Sequence, residues 1–176
     1  MPVLYLIGCA APPVRHATTG ITLAQQAGWD VCLILTPSAA RWLRDDLGHL
    51  ETLTGHPVRS TYKEPEEPDV LPPADALLTA PITLNTLSSW ALGIANTLAL
   101  GLLTEGIGKR LPIVALPYIN AAQAAHPALT GHIRVLEAAG VSVLLGEGGH
   151  VPHPPGHGNA AAFPWKQALG RLPKPE

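Results

Sequence analysis

Charge is what this chain of 176 residues lacks most. Asp, Glu, Lys and Arg make up 14% of it, where an ordinary soluble domain carries about 25%. So few charges leave little polar surface to cover a monomer, which points to a homo-oligomer whose apolar faces are shared. The charges present nearly balance, at a net −2 and a pI near 6.4, which argues against the basic stripe of a nucleic-acid binder. Two cysteines, Cys9 and Cys32, are too few for a disulfide framework, so a reducing, cytoplasmic setting is expected. The apolar start MPVLYLIGCAAPP has no basic region before it and is short for a signal peptide. No charged residue lies between Asp75 and Glu105, a stretch longer than the ~20 residues a membrane span needs. Pro81, Asn85, Ser88, Ser89 and Asn96 interrupt it, however, and it divides into a strand and a helix, so it reads as buried in protein.

What is present is a series of short apolar runs separated by helical spacing. VLYLIG (3–8), DVCLILT (30–36), ADALLTA (74–80), LPIVALP (111–117) and VSVLLG (141–146) read as buried strands. Between them, residues 18–27 and 126–140 have helical spacing closed by Gly28 and Gly140, and Pro37 opens another helix. Residues 83–103 read as one long uncharged helix, and residues 55–73 as a proline-rich, acidic loop with at most a short strand near Val58. Strands that are apolar throughout and alternate with helices indicate a parallel sheet covered on both faces. The expected fold is therefore α/β: a single-domain, doubly wound, Rossmann-like three-layer αβα sandwich. It is expected over residues 1–146, followed by an irregular Pro/Gly/His-rich tail (147–176) with a short helix near Trp165 to Leu169.

In such a sheet, ligands bind beyond the carboxyl ends of the strands. Those ends carry Gly8, Cys9 and Ala10; then Thr36, Pro37 and Ser38; then Pro81, Thr83, Asn85 and Thr86; then Pro117, Tyr118 and Asn120. Small residues and hydroxyls at helix starts suit an anion, because free N–H groups and the helix dipole face it. The same residue types also cap helices with no ligand present. GxGxxG is missing after the first strand, and GIGKR (106–110) is not a phosphate-binding loop, so neither ATP nor an ordinary NAD fingerprint is supported.

PITLNT (81–86) followed by GIANTL (93–98), ALPYIN (115–120) and LTPSAARWL (35–43) occur in the order and spacing found in the homo-oligomeric flavin-containing cysteine decarboxylases, and the chain resembles that family from about Val3 to Leu145. The resemblance implies an FMN cofactor. It implies that Gly8, Cys9 and Ala10 line the flavin, that Thr36 and Ser38 lie near its phosphate or ribityl chain, and that Trp42 lies near the flavin. It further implies that Ala80, Pro81, Thr83, Asn85 and Thr86 hold the phosphate and ring edge, and that Asn120 stands at the substrate position. Relatives assemble as trimers or multiples of them, with FMN between subunits, so a trimeric homo-oligomer is implied here, with no membrane or nucleic-acid partner.

The chain also departs from that family. Glu67 stands where the family's proton-transferring histidine falls and Pro73 where its tryptophan falls, while Ile119 and Gln123 replace methionines. The expectation is an FMN-binding flavoprotein with diverged chemistry. Two alternatives stay open: an active oxidative decarboxylase of a cysteine-containing substrate, and a non-catalytic subunit that keeps the fold. Glu67 as a base is weighed against ordinary solvated charge. His126 is weighed against a helix-start role, and Cys9 as a thiol activated at a helix start against simple packing. His150, His153 and His157 have spacings that a metal would accept, but their Pro-Gly context fixes no geometry, and no metal is expected.

Overall fold

Continuous apolar runs belong in strands with both faces covered, and the computed structural model, which describes residues 1–175, places them so. Strands β1 (Val3–Gly8), β2 (Asp30–Leu35), β3 (Ala76–Ile82), β4 (Ile113–Pro117) and β5 (Val141–Val143) form one parallel sheet in the order β2-β1-β3-β4-β5. The chain leaves β1 towards one edge and returns on its other side as β3. The strand order therefore reverses between β1 and β3, and a crevice opens there at the carboxyl ends.

Alternate strand residues feed two cores. Leu4, Leu6, Leu78 and Leu116 pack with Ile21 of α1 (Ala17–Gln26), Leu50 of α3 (Leu47–Thr54) and Trp165 of α8 (Trp165–Leu169). On the other face Tyr5, Ile7, Leu77 and Ala115 pack with Trp90 of α4 (Leu84–Ala91), Leu103 of α5 (Leu98–Gly108) and Leu136 of α7 (Leu129–Ala138). Each fully buried leucine or isoleucine contributes about 1.5–3 kcal/mol over leaving it in water. Two short helices, α2 (Pro37–Trp42) and α6 (Ala121–Ala124), start directly after β2 and β4, and a 3-10 turn (Pro12–His16) follows β1.

Two expectations are corrected. The stretch 83–103 is two helices, not one: α4 stops at Ala91, Gly93 takes the left-handed conformation (φ 75°), and Thr97 then caps α5 by accepting from Leu100 N at 3.2 Å. Uncharged composition hid a break that depends on one glycine and one threonine. The third strand does not stop at Ala80 either. It runs through Pro81 to Ile82, the register against β4 shifts between Thr79 and Ile82, and the Ala80–Pro81 peptide is cis. Proline has no N–H to donate, so it sits where the ladder is already irregular.

The chain beyond β5 returns to the sheet. Phe163, Trp165, Ala168 and Leu172 are buried in the same core as β1 and β3. Trp165 lies so close to α1 that a Cβ on Gly20 would come within 2.6 Å of its ring. Ala121 N donates to His153 O at 2.7 Å, which ties the segment to the end of β4.

Candidate active site

Four carboxyl ends are tied together around the switch point. Cys9 N donates to Pro81 O (2.9 Å), Thr36 N to Gly8 O (2.9 Å) and Tyr118 N to Ile82 O (3.1 Å). These bonds bring together the ends of β1, β2, β3 and β4, and of the site residues singled out in the sequence Ala10, Thr83 and Asn120 line the cavity that opens there. Gly8 has no room for a side chain, since a Cβ would lie 3.0 Å from Val14 and 3.1 Å from Leu35. The chain after β1 therefore stays close to its neighbours.

Thr36, Thr83 and Asn120 each cap the helix that follows. Thr36 Oγ1 accepts from Ala39 N (3.3 Å), Thr83 Oγ1 from Thr86 N (3.2 Å) and Asn120 Oδ1 from Gln123 N (2.9 Å). Gln123 Oε1 in turn accepts from Asn120 N (3.1 Å), which completes a capping box. Capping leaves the first-turn N–H groups of Leu84 and Asn85 without an intrahelical acceptor, facing outward from α4. The Thr83 hydroxyl donates to Thr86 Oγ1 (3.2 Å), and Thr86 itself is buried. Ser38 is half-buried in the first turn of α2 and Asn85 is exposed in that of α4. Ala80 and Pro81 are buried and serve as wall.

Cys9 is 1% exposed. Burial pushes its thiol pKa up, and the hydrogen bonds from Thr86 and Thr83 only partly offset that. Of the two roles weighed for Cys9, burial favours packing over an activated thiol and holds it protonated at neutral pH. Trp42 lies at the protein surface, with the Arg15 guanidinium 5.6 Å above its ring and Arg15 Nη1 donating to Trp42 O at 3.4 Å. Glu67 is exposed in a turn of its own, where its carboxylate accepts from Glu64 N (3.0 Å). His126 is exposed, and its Nδ1 accepts from Ala128 N (3.2 Å) ahead of α7.

A cavity of about 240 Å³ lies at this point, lined among others by Ala10, Thr83, Tyr118, Asn120, Gln123 and His153. A larger one, about 680 Å³, opens between α5 and the 59–74 segment beside Tyr5, Leu77 and Leu102. It lies away from the carboxyl ends, so the smaller cavity is taken as the site. Sequence reasoning weighed His153 only as a metal ligand. Its arrival beside Asn120 depends on the parallel bridge between those two residues, which no local pattern announces. His150 is 7% exposed, its Nε2 donates to Ile119 O (2.8 Å), and burial lowers its pKa below 6.5. His157 is exposed.

The donors available, backbone N–H groups at the start of α4 with the hydroxyls and amides of Ser38, Asn85 and Asn120, suit the oxygen-rich phosphate and ribityl chain of a flavin mononucleotide. Among the described residues the lining has no acidic side chain to oppose an anion.

Comparisons with known proteins agree with this fold. Residues 17–169 match the family model described as Flavoprotein. A curated relative, a cysteine/cysteine sulfinic acid decarboxylase from an unknown prokaryotic organism, is 29% identical over 133 residues, covering 72% of this chain and 33% of that protein. The chain thus spans about a third of that relative's length. Among solved structures, the FMN-dependent cysteine decarboxylase SpaF superposes with a TM-score of 0.71 at 22% identity, over 97% of both chains. The cypemycin decarboxylase CypD does so with 0.72 at 18%, over 98% of this chain and 92% of that one. At those identities the structures establish the fold, and the family match establishes the membership: the chain belongs to the Flavoprotein family.

Proposed function

We propose that this protein binds FMN at the β1/β3 switch point and uses it in flavin-dependent chemistry on a small molecule or peptide that resembles a cysteine carboxylate. The observation that carries the reading is the Thr83-capped start of α4, set against Cys9, Ala10 and Asn120 at the carboxyl ends of a sheet ordered β2-β1-β3-β4-β5. Sheets of this order place their ligand crevice at the β1/β3 switch point, where flavodoxin holds FMN. Thr83, Asn85 and the N–H groups of the first α4 turn would hold the phosphate, with Ser38 and Thr36 beside the ribityl chain, Trp42 near the flavin, and Gly8, Cys9 and Ala10 under the ring. When bound, flavin supplies a two-electron oxidant. The chain's own part is to orient it, exclude water with Ile119, Ala10 and Leu84, and present Asn120 to the substrate.

The site on one chain is smaller than the ~300 Å³ at which small-molecule pockets begin. A flavin overhangs it and needs a second wall. The sparse charge and the exposed Leu92 (65%) and Ile94 (43%) in the α4–α5 turn favour a second copy of this chain as that wall, in a trimer-based homo-oligomer. A cytoplasmic, reducing location fits the two free, buried cysteines. The helices give no sign of membrane insertion, since none among the described residues is long and apolar enough to cross one.

Glu67 favours diverged chemistry. It stands at the position of the family histidine, yet it is exposed and occupied with Glu64, so proton transfer falls to another group or turnover is lost. Two measurements decide. The purified protein is expected to be yellow or to take up FMN, with Thr83→Ala/Asn85→Ala lowering its flavin content; a colourless protein that binds no FMN leaves only the non-catalytic subunit. Incubation with cysteine-terminated peptides and with phosphopantothenoylcysteine, followed by mass spectrometry, separates retained decarboxylation (loss of CO2) from diverged chemistry.

A further inference from the structure

The lining of the strand-end cavity is unusual in its charge chemistry. Alanines, Pro12, Leu84 and Ile119 supply the apolar wall; Thr83, Asn120, Gln123 and Tyr118 supply neutral polar groups. Among the described residues no lysine, arginine, aspartate or glutamate lines it. Among the described residues His153 is the one lining side chain with a basic nitrogen. An acidic ligand that enters this cavity meets its one basic partner there.

His153 is also held in place. Its carbonyl accepts from Ala121 N (2.7 Å), and its backbone pairs with Asn120, the cap of α6. Its ring lies 4.9 Å from that of Tyr118 and 5.5 Å from that of His150, edge to face with the latter. Tyr118 is flanked on its other sides by His150 (4.9 Å) and Phe163 (6.0 Å). Because Ile119 O can only accept, the 2.8 Å contact fixes the proton of His150 on Nε2, and burial keeps that ring neutral. The chain then folds back so tightly that a Cβ on Gly158 would overlap Tyr118 Oη and lie 2.8 Å from His153 Nε2. Gly158 therefore packs against Tyr118 Oη and the Nε2 edge of His153, which fixes both rings in place beside the cavity they line. Among the described residues neither Tyr118 Oη nor the His153 ring forms a hydrogen bond within the protein.

We infer that His153, positioned by Tyr118 and His150, is the carboxylate-recognising group of this site, so that the segment after β5 rather than the loop before β3 supplies the imidazole facing the substrate. The inference rests on the flavin-site reading for the identity of the substrate, but its chemistry requires only the cavity. A charge-assisted hydrogen bond from an imidazolium to a carboxylate is about twice as strong as a neutral one. The site is thereby selective for a monoanionic acid over its amide.

The test uses the full chain loaded with FMN and two probes, N-acetylserine and N-acetylserinamide, whose hydroxyl stands in for a thiol without being oxidised. Calorimetry is expected to show the wild type preferring the acid by roughly tenfold, the difference that a charged hydrogen bond makes over a neutral one. His153→Phe keeps the ring and its packing and is expected to abolish the preference while flavin absorbance and thermal stability stay near wild type. His153→Gln keeps a donor but no charge and is expected to retain a few-fold preference at most, so it decides the matter if the phenylalanine variant folds poorly. No preference in the wild type, or a preference undiminished in both variants, overturns the inference. If the wild type takes up no FMN, the flavin reading fails separately, since the acid-over-amide preference is measurable on the flavin-free chain.

Discussion

Two cavities in this molecule differ in the opposite sense from what their size suggests. The larger, between α5 and the 59–74 segment, has charged groups that already have partners: Lys63 with Asp69 (3.3 Å), Lys109 with Glu105 (2.8 Å) and the Tyr5 hydroxyl with Pro72 O (2.7 Å). Burial and nearby acidic charge push the Tyr5 pKa up to about 12, so it stays a neutral donor. The smaller cavity collects groups with bonding capacity left over: the first-turn N–H groups of α4, the amide of Asn120, Tyr118 and His153. Volume measures where side chains fail to fill space, whereas function needs polar groups left unsatisfied by the fold and aimed at one point. The smaller site is lined by such groups, and its position at the switch point follows from topology.

The comparison breaks hardest at Trp165. Its ring is 5% exposed, seated on α1 and 5.0 Å from Phe163, which backs Tyr118. Trp165→Ala is expected to cost about 3–5 kcal/mol in urea denaturation, the usual range for removing a buried tryptophan. Flavin retention is expected to fall with it, because the wall behind Tyr118 loosens while the larger cavity keeps its lining. Stability near wild type would mean that the segment after β5 is not part of the core.

Next in size is the loss of the α4 cap. Thr83→Ala alone is expected to lower stability by about 1 kcal/mol, and together with Asn85→Ala to remove most bound FMN, measured as flavin-to-protein ratio after desalting. Leu102→Trp, which fills the larger cavity, is expected to leave that ratio unchanged. If the second substitution depletes flavin and the first does not, the two cavities exchange roles.

The parts of this site that were legible in the sequence are local. Thr83 announces a helix start because a cap needs only a short side chain and a backbone three residues on, whereas Ser38 and Asn85, read as caps from the sequence, sit inside the first turns, and Thr36 caps the helix after β2 instead. The strands announce themselves because a sheet covered on both faces admits no polar alternation. The break between α4 and α5 stayed hidden, since Gly93 is one residue in an otherwise helix-compatible run. His153 stayed hidden for a different reason: its role depends on a bridge to Asn120 across the chain, set by tail residues such as Phe163 and Trp165 finding the core. For Cys9 the sequence left two roles open, an activated thiol and a packing residue, and burial decides for packing, since a helix start lowers a thiol pKa only where the thiolate can be solvated.

Acid sharpens the comparison further. Burial holds the folded-state pKa of His150 below 6.5, so the unfolded chain binds more protons as pH falls through 6.5. The stabilisation tied to neutral His150 is full above that pH and is lost on the acid side. Between pH 7 and 5 the wild type is expected to lose more melting temperature than His150→Gln, which keeps a donor for Ile119 O without a titrating ring. Equal slopes would show that His150 is not held neutral by its surroundings.

The smallest effect is expected in the larger cavity. Lys109 and Glu105 are one helical turn apart on α5, with side chains 64% and 63% exposed. Water screens such a pair, and exposed pairs at this spacing contribute about 0.3–0.5 kcal/mol. Lys109→Ala is therefore expected to shift the urea midpoint by that little and to leave both flavin content and acid-over-amide binding alone. A change in either ligand measurement would mean that the rim of the larger cavity communicates with the strand ends, contrary to the division drawn between the two. The pair's ordinary strength is what makes the substitution informative, because it alters charge at one cavity with almost no cost to the fold that builds the other.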